Sequence, residues 1–248
     1  MRTKFNLAMF LTGFAMTLHA DSSQRGFTVS LRDCTELIGL GPVDFAKARS
    51  LVPISYSLVP FNGSAGLVVR ASRCAGTGVD SSAEKPAIVA QVGIAIIPPD
   101  GTGDINNYTL VYATDHQQLA QVLNQAGLPA VLDRALAYEL TPDSNGHGEV
   151  YVGVSPALQP AWFLTGAADP PPSAGGPVVA NWWFQGSHGV IKMSTSIASI
   201  RYGAAGFSLH TSKMSVLGGL IGGNTDANFV FFNALGAFTG ANLAASVK

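Results

Sequence analysis

Ala87-Ile-Val-Ala-Gln-Val-Gly-Ile-Ala-Ile-Ile97 is the clearest structural signal in the sequence. Its β-branched residues, and the Pro98-Pro-Asp-Gly101 that follows, are typical of a buried strand ending in a turn. Two runs of the same character flank it, Gly66 to Arg73 and Tyr108 to Ala113. Breaker-rich segments separate the three runs, which predicts antiparallel strands of one sheet.

One helix is predicted directly after these strands, from Asp115 to Ala126. Thr114 or Asp115 can cap it, apolar residues recur at helical spacing, and Gly127 favours its end. Strand character then resumes in six further runs. These are 135–140, 149–154, 162–165, 178–185, 190–197 and 200–210.

Two other segments break the strand pattern. Asp169-Pro-Pro-Pro-Ser-Ala-Gly-Gly-Pro177 predicts an exposed loop or a lid, since its four prolines remove backbone donors. The apolar tail from Met214 to Ala245 predicts a short helix and then a segment that packs on the barrel or on a partner. We therefore expect a mainly β (α+β) fold, with residues 21–248 as a single domain. It would be one antiparallel β-barrel or strongly curved sheet with one packed helix and a short C-terminal helical segment.

Composition excludes some function classes. The 248 residues are 47% hydrophobic and 12% charged, with 14 basic and 15 acidic side chains and a net charge of −1. A disordered chain would be poor in apolar residues and highly charged. A nucleic-acid-binding protein would show a basic patch, so nucleic acid is not an expected partner.

The N-terminus has the layout of a secretory signal peptide. Arg2 and Lys4 precede an apolar run from Leu7 to Leu18, and the small residue Ala20 precedes a polar stretch. The run is short for a membrane span, which needs roughly 20 residues. We expect residues 1–20 to be removed and the protein to be secreted or periplasmic, the alternative being an uncleaved anchor.

The chain has two cysteines, Cys34 and Cys74. In an exported protein such a pair predicts one disulfide bond. The alternative, a nucleophilic thiol, needs a basic or histidine-rich neighbourhood that the sequence lacks.

The sequence carries no strong catalytic or cofactor motif. Gly153-Val-Ser155-Pro-Ala157 is a poor match to a serine hydrolase elbow, because Ala replaces the second glycine. The histidines are single and widely spaced, so we expect no metal site, although ligands can converge from different strands. No glycine-rich phosphate loop is found, so no nucleotide cofactor, and no other cofactor, is expected.

The segment Asn181-Trp-Trp-Phe-Gln-Gly-Ser-His-Gly189 is the richest in aromatic and polar residues. Strand alternation places Trp182 with Phe184 on one face and Trp183 with Gln185 on the other. One face would be core, and the other could line a cavity for an apolar or ring-bearing ligand. In the alternative interpretation all three aromatic residues are structural.

The order of elements over residues 88–140 resembles the acetoacetate decarboxylase superfamily. The resemblance rests on Gln91 to Gly101, on Tyr108 to Asp115, on the helix, and on Gly127-Leu-Pro-Ala130. It implies that the family's Schiff-base lysine falls at Ala130 and its pocket glutamate at Gln91. An alanine has no amine to condense with a ketone, so the resemblance implies a barrel without imine chemistry.

The predicted pocket lies near Gln91, Tyr112, Trp183 and His188, with Ala130 at the former lysine position. It would bind a small apolar or aromatic carbonyl-type molecule. The protein would be a carrier or sensor, or would catalyse a non-imine lyase or isomerase step with His188 or Tyr112 as acid or base. His188 has an alternative role as a turn residue, because Gly186 and Gly189 flank it.

A third hypothesis is that the protein associates with a partner, a membrane or a further copy of itself through its phenylalanine-rich C-terminal segment. This segment carries Phe229, Phe231, Phe232 and Phe238.

The leader and the cysteine pair give a first prediction. Intact-mass analysis of the protein recovered from a secreting host should show loss of about twenty N-terminal residues and no thiol that reacts with an alkylating agent. Two alkylatable cysteines in the native exported protein would contradict it.

Overall fold

The computed structural model describes residues 26–155, 161–172 and 174–248. The predicted signal peptide, residues 1–20, lies outside these ranges, as do Pro156 and Ala157 of the elbow-like motif. The helices are α1 (Phe45–Leu51), α2 (Gln117–Gln125) and α3 (Val216–Leu220). The strands are β1 (Phe27–Val43), β2 (Pro60–Phe61), β3 (Ser64–Val79), β4 (Lys85–Ala95), β5 (Ile105–Thr114), β6 (Val131–Leu132), β7 (Ala137–Pro142), β8 (Gly148–Val154), β9 (Trp162–Ala168), β10 (Gly176–Gly186), β11 (Gly189–Thr211), β12 (Asp226–Asn228) and β13 (Phe232–Val247).

Seven strands bond in a ring, in the order β10-β5-β4-β3-β1-β13-β11 and back to β10. The ring confirms the prediction of a mainly β fold with a barrel or strongly curved sheet. One pairing in it departs from the antiparallel pattern, because β10 runs parallel to β5 from Ala180 to Trp183. Strands from both sides of α2 enter the ring, so its closure joins residues that are distant in sequence.

β11 leaves the ring at its C-terminal half and continues into a second layer. Its residues 205–211 pair with β9, and β8 and β7 follow, while β12 pairs with the other edge. The sequence predicts two runs broken at Ala198-Ser199, but they form one strand of 23 residues. Buried residues of the second layer, such as Val152 and Leu164, belong to the core that it shares with the outer face of the ring.

Two ring strands were not predicted as strands. In β1, Asp33 has a left-handed backbone (φ 49°). Phe27 and Val29 are buried before it, Cys34 and Glu36 are buried after it, and the odd-numbered positions from Leu37 to Val43 follow as buried positions. These shifts break the two-residue period on which strand prediction rests. The second unpredicted ring strand lies in the C-terminal tail. α3 is the short helix predicted there, but residues 232–247 form a ring strand between β1 and β11, not a segment that packs on the barrel.

The helix α2 is confirmed, with a shifted start. His116 is its N-cap, and its Nδ1 accepts the N–H of Leu119 at 3.2 Å. Neither predicted cap residue is free for this role, because Thr114 Oγ1 donates to the Ile88 carbonyl and Asp115 accepts the Ile88 N–H. The helix ends before Gly127, whose φ of +97° suits glycine.

The Pro-rich loop is exposed over most of its described residues. It is shorter than predicted, because β10 begins at Gly176. None of the helices in the described ranges has the length and apolar character of a segment that crosses a bilayer.

The predicted disulfide is present. Cys34 on β1 and Cys74 on β3 are directly opposite, with Cα atoms 4.1 Å apart, and both are buried. The bond joins two neighbouring ring strands beside Asp33, where the alternation of β1 changes.

Replacing both cysteines with serine should lower the free energy of unfolding. The bond closes a loop with a sequence separation of 40 residues, and its removal should cost about 4 kcal/mol through loop entropy. Urea unfolding with and without a reductant measures this cost. The reductant should destabilise the natural protein and leave the double variant unchanged. Equal stability of the natural protein and the double variant in the absence of reductant would contradict the prediction.

Candidate functional site

A small cavity lies inside the ring, walled by residues of five ring strands: β1, β3, β5, β10 and β11. The space open to the centre of a water molecule is about 30 Å³, whereas one bound water needs roughly 10–15 Å³. The cavity therefore has room for about two waters in this form. Its lining is mainly apolar and consists of Glu36, Ile38, Val68, Arg70, Ile105, Asn107, Val178, Ala180, Trp182, Thr195, Ile197 and Tyr202.

An ion pair forms the polar side of this cavity. Glu36 Oε2 accepts from Arg70 Nε at 2.7 Å and lies 2.6 Å from Arg70 Nη2. The Glu36 side chain is 3% exposed and that of Arg70 is 13% exposed. Sheet register explains the meeting, because Arg70 is opposite Ile38 on β1 and Glu36 is two residues before it on the same face.

The remaining contact of the guanidinium is with Gln91, whose Oε1 accepts from Arg70 Nη1 at 2.9 Å. These contacts use three of the five N–H groups that an arginine carries. Because Glu36 neutralises Arg70, the cavity offers hydrogen-bond donors without a net positive charge.

Two further polar groups line the same space. The pKa of Tyr202 is raised to about 12, mainly by burial and then by the Glu36 carboxylate, while Arg70 opposes the shift. Tyr202 is therefore a protonated donor at neutral pH. Asn107 is 2% exposed, and its Oδ1 has no hydrogen-bond partner among the described residues. A buried acceptor of this kind is normally satisfied by a bound donor or a water.

The predicted site residues divide between the two faces of the barrel wall. Trp182 lines the cavity, and Gly93 makes room for it, since a Cβ there would lie 2.7 Å from the indole. Trp183 points to the opposite face, where its Nε1 donates to Asn106 Oδ1 at 2.9 Å. Trp182, the sequence neighbour of the predicted Trp183, is thus the tryptophan that lines this cavity.

Gln91 and Tyr112 lie close to the ion pair but are not in the cavity lining. Tyr112 is opposite Gln91 on β5 and fully enclosed, and burial raises its pKa above the ordinary value, with Arg70 opposing the shift. Ala130 is buried in the apolar cluster that also contains Tyr112.

His188 lies elsewhere, in the exposed turn that joins β10 to β11, against Gly127. It is not in the lining of the cavity. Whether His188, Tyr112, Gln91, Trp183 and Ala130 act in binding or catalysis stays a prediction.

Sequence reasoning missed Glu36 and Arg70. A signal was present, because Arg70 interrupts the apolar run from Gly66 to Ala71, where a strand buried on both faces would hold no charge. Its partner could not be found in this way, since Glu36 lies in the strand that the pattern did not reveal.

No lysine is among the lining residues in the described part of the chain. Lys192 is on the outer face of the ring, where its Nζ donates to Asp100 at 2.7 Å and lies 5.0 Å from the Trp183 ring centre. Across the described ranges, no group of three or more His, Cys, Asp or Glu side chains is placed to hold a metal ion.

Comparison with known proteins identifies the fold. No protein-family model and no curated protein matches the chain. Solved structures do match it: acetoacetate decarboxylase from Legionella pneumophila has a TM-score of 0.54 and 10% identity, with 89% of this chain and 86% of that chain covered.

The fold is that of the acetoacetate decarboxylase-like proteins. A second acetoacetate decarboxylase structure matches with a TM-score of 0.56 and 10% identity, over 89% of this chain and 88% of that chain. The enduracididine biosynthesis enzyme MppR, with HEPES bound, matches with a TM-score of 0.52 and 10% identity, over 92% and 89%. MppR has also been solved with pyruvate. The resemblance read from the sequence is confirmed as a likeness of fold.

Replacing Glu36 with glutamine should destabilise the protein by about 3 kcal/mol, because removing one partner leaves a buried guanidinium uncompensated. Changing Arg70 to methionine in the same chain should recover much of this loss. The exposed pair Arg32–Glu84, with side chains 52% and 37% exposed, is the matched control. Its Glu84→Gln variant should change the free energy of unfolding by less than about 1 kcal/mol. Equal losses at both sites would contradict the conclusion that burial makes the Arg70–Glu36 pair costly to break.

Proposed function

We propose that the ring cavity binds a small neutral carbonyl compound without forming a covalent bond to it. The observation that carries the proposal is the internally neutralised Arg70–Glu36 pair in an otherwise apolar cavity. A ligand of about four or five non-hydrogen atoms would displace the waters that the space can hold, with small side-chain shifts.

The polar groups support a neutral ligand over a carboxylate. A second carboxylate beside Glu36 would face a like charge at low dielectric, which is costly. A ketone or aldehyde oxygen can instead accept from the two unused N–H groups of Arg70 or from Tyr202. Asn107 Oδ1 favours a ligand that also carries an O–H or N–H.

The residue types support binding without an imine. The sequence resemblance implies that Ala130 stands where the family has its Schiff-base lysine, and the amine of Lys192 is held on the outer face by Asp100. A carrier or sensor is therefore favoured, and a non-imine lyase or isomerase step is the alternative. Product formation from a bound carbonyl compound would identify the enzymatic alternative.

We also propose that the protein is exported, to the periplasm or outside the cell. The leader-like sequence of residues 1–20 and the disulfide between Cys34 and Cys74 support this location.

The C-terminal segment supports a second candidate function, association with a partner or a further copy of the chain. Val230, Phe231 and Phe232 form an exposed apolar run, 69%, 39% and 41% exposed respectively. Phe229 and Phe238 are buried, however, and Phe231 stacks on Phe61. Much of the aromatic surface of the segment therefore packs within the chain.

A series of three-carbon ligands tests the barrel proposal by tryptophan fluorescence and thermal shift. Hydroxyacetone should bind more tightly than acetone, because it supplies a donor to Asn107, and pyruvate should bind most weakly. Glu36→Gln should reverse the order by raising the affinity for pyruvate at least about tenfold, or 1.4 kcal/mol, because the Arg70 charge is then unopposed. Benzaldehyde tests whether an aromatic ring can enter.

The adjacent tryptophans provide the matched control. Trp182→Phe should weaken hydroxyacetone binding, while Trp183→Phe should leave it unchanged. Borohydride treatment with pyruvate or hydroxyacetone should trap no adduct. The proposal is wrong if only Trp183→Phe weakens binding, or if a trapped adduct is found on a lysine.

A further inference from the structure

A second group of reactive side chains lies on the exposed face of the second layer, which is built from β7, β8, β9, β12 and the end of β11, away from the ring cavity. Asp226 on β12 is directly opposite His210 on β11, and Thr165 on β9 is diagonal to His210 on the other side. Residues that are far apart in sequence thus meet in a row across three strands.

The row is joined by hydrogen bonds. Asp226 Oδ1 contacts His210 Nδ1, and His210 Nε2 lies 2.7 Å from Thr165 Oγ1. A carboxylate can only accept, so the Asp226 contact fixes the proton of the neutral imidazole on Nδ1. His210 Nε2 is then an acceptor, and the Thr165 hydroxyl donates to it.

The imidazole is also held in orientation. The Phe163 ring stacks on it, with ring centres 4.9 Å apart and planes 20° apart. The hydrogen bond from His210, followed by that from Thr225, lowers the pKa of Asp226, which keeps it ionised. A hydroxyl, a base in reach of it, and a third group that orients the base form the arrangement of an activated nucleophile.

An open depression adjoins the hydroxyl. Its volume is about 450 Å³, and its lining includes Thr165, Tyr151, Glu139 and Glu149. Thr165 is therefore at the edge of a space that a small organic molecule can enter. The two carboxylates favour a positively charged molecule over a negatively charged one, and the Tyr151 ring can stack on it.

We infer that Thr165 Oγ is a nucleophile for acyl transfer from activated esters, with His210 as its base and Asp226 as the residue that orients the base. Thr165 Oγ forms a bond to the ester carbonyl carbon while its proton moves to His210 Nε2. The bond from that carbon to the alcohol oxygen then breaks, and the leaving alkoxide takes the proton from His210. The products are an ester of Thr165 and a free alcohol, and water can hydrolyse the Thr165 ester by the same route.

The setting of Thr165 predicts a slow second step. β9 pairs with β8 on one side and with β11 on the other, so the hydrogen bonds of the sheet occupy the backbone N–H groups of β9 that would otherwise stabilise an oxyanion. Loss of one oxyanion donor costs about 10²–10³-fold in rate. This loss slows both steps, but an activated ester has a better leaving group than the alkyl ester of Thr165, so acylation outpaces hydrolysis. The acylated protein should therefore accumulate, and covalent labelling is a more direct measurement than turnover.

Incubation of the full chain with p-nitrophenyl acetate, followed by peptide mass spectrometry, tests the inference. We expect one acetyl group on Thr165. Thr165→Val keeps the side-chain shape and should abolish this label, and Thr165→Ser should retain it. His210→Gln and Asp226→Asn should each slow labelling at least about 100-fold.

A second histidine provides the matched control. His147 Nδ1 lies 2.7 Å from Asp169 Oδ1, both side chains are 55% exposed, and His147→Ala should leave labelling unchanged. Among matched aryl acetates, a trimethylammonium ester should label faster than a carboxylate ester. Acetyl groups confined to lysines, or equal labelling of the Thr165→Val variant, would overturn the inference, and thermal unfolding confirms that each variant is folded.

Discussion

Closure of the ring is the constraint on which the rest of the structure depends. β10 completes it by bonding to β11 through a tight turn and to β5 in parallel. Once the ring is closed, none of its strands has a free edge, and its inner face has little access to water. Charged residues on that face must then be paired inside the protein, which is how Glu36 and Arg70 come to share one cavity.

Several elements could be predicted because local pattern and environment agree. β4 is a dense β-branched run, α2 has helical spacing and a glycine stop, and the two cysteines lie on neighbouring strands. β1 could not, because Asp33 changes the alternation, and the His116 cap was missed because Thr114 and Asp115 bond to β4 instead. In these places a contact between elements decides the local conformation.

The site was harder to predict than the fold for the same reason. The aromatic segment was recognised, but which tryptophan faces the cavity depends on the register of β10 with its neighbours. The Arg70–Glu36 pair and the Thr165–His210–Asp226 row both need the sheet to bring distant residues together. The family resemblance predicted the fold, which the solved structures confirm, and it implied that Ala130 replaces the family's lysine, which stays a prediction.

The most direct test of the central claim, a non-covalent ligand held by Arg70 inside the ring, is NMR of the side-chain N–H groups during titration with hydroxyacetone. The account predicts that the Arg70 Nε–H and Trp182 Nε1–H signals shift with one saturation curve, while the Trp183 Nε1–H signal stays in place. Shifts at Trp183 and His188 without a shift at Arg70 would contradict it.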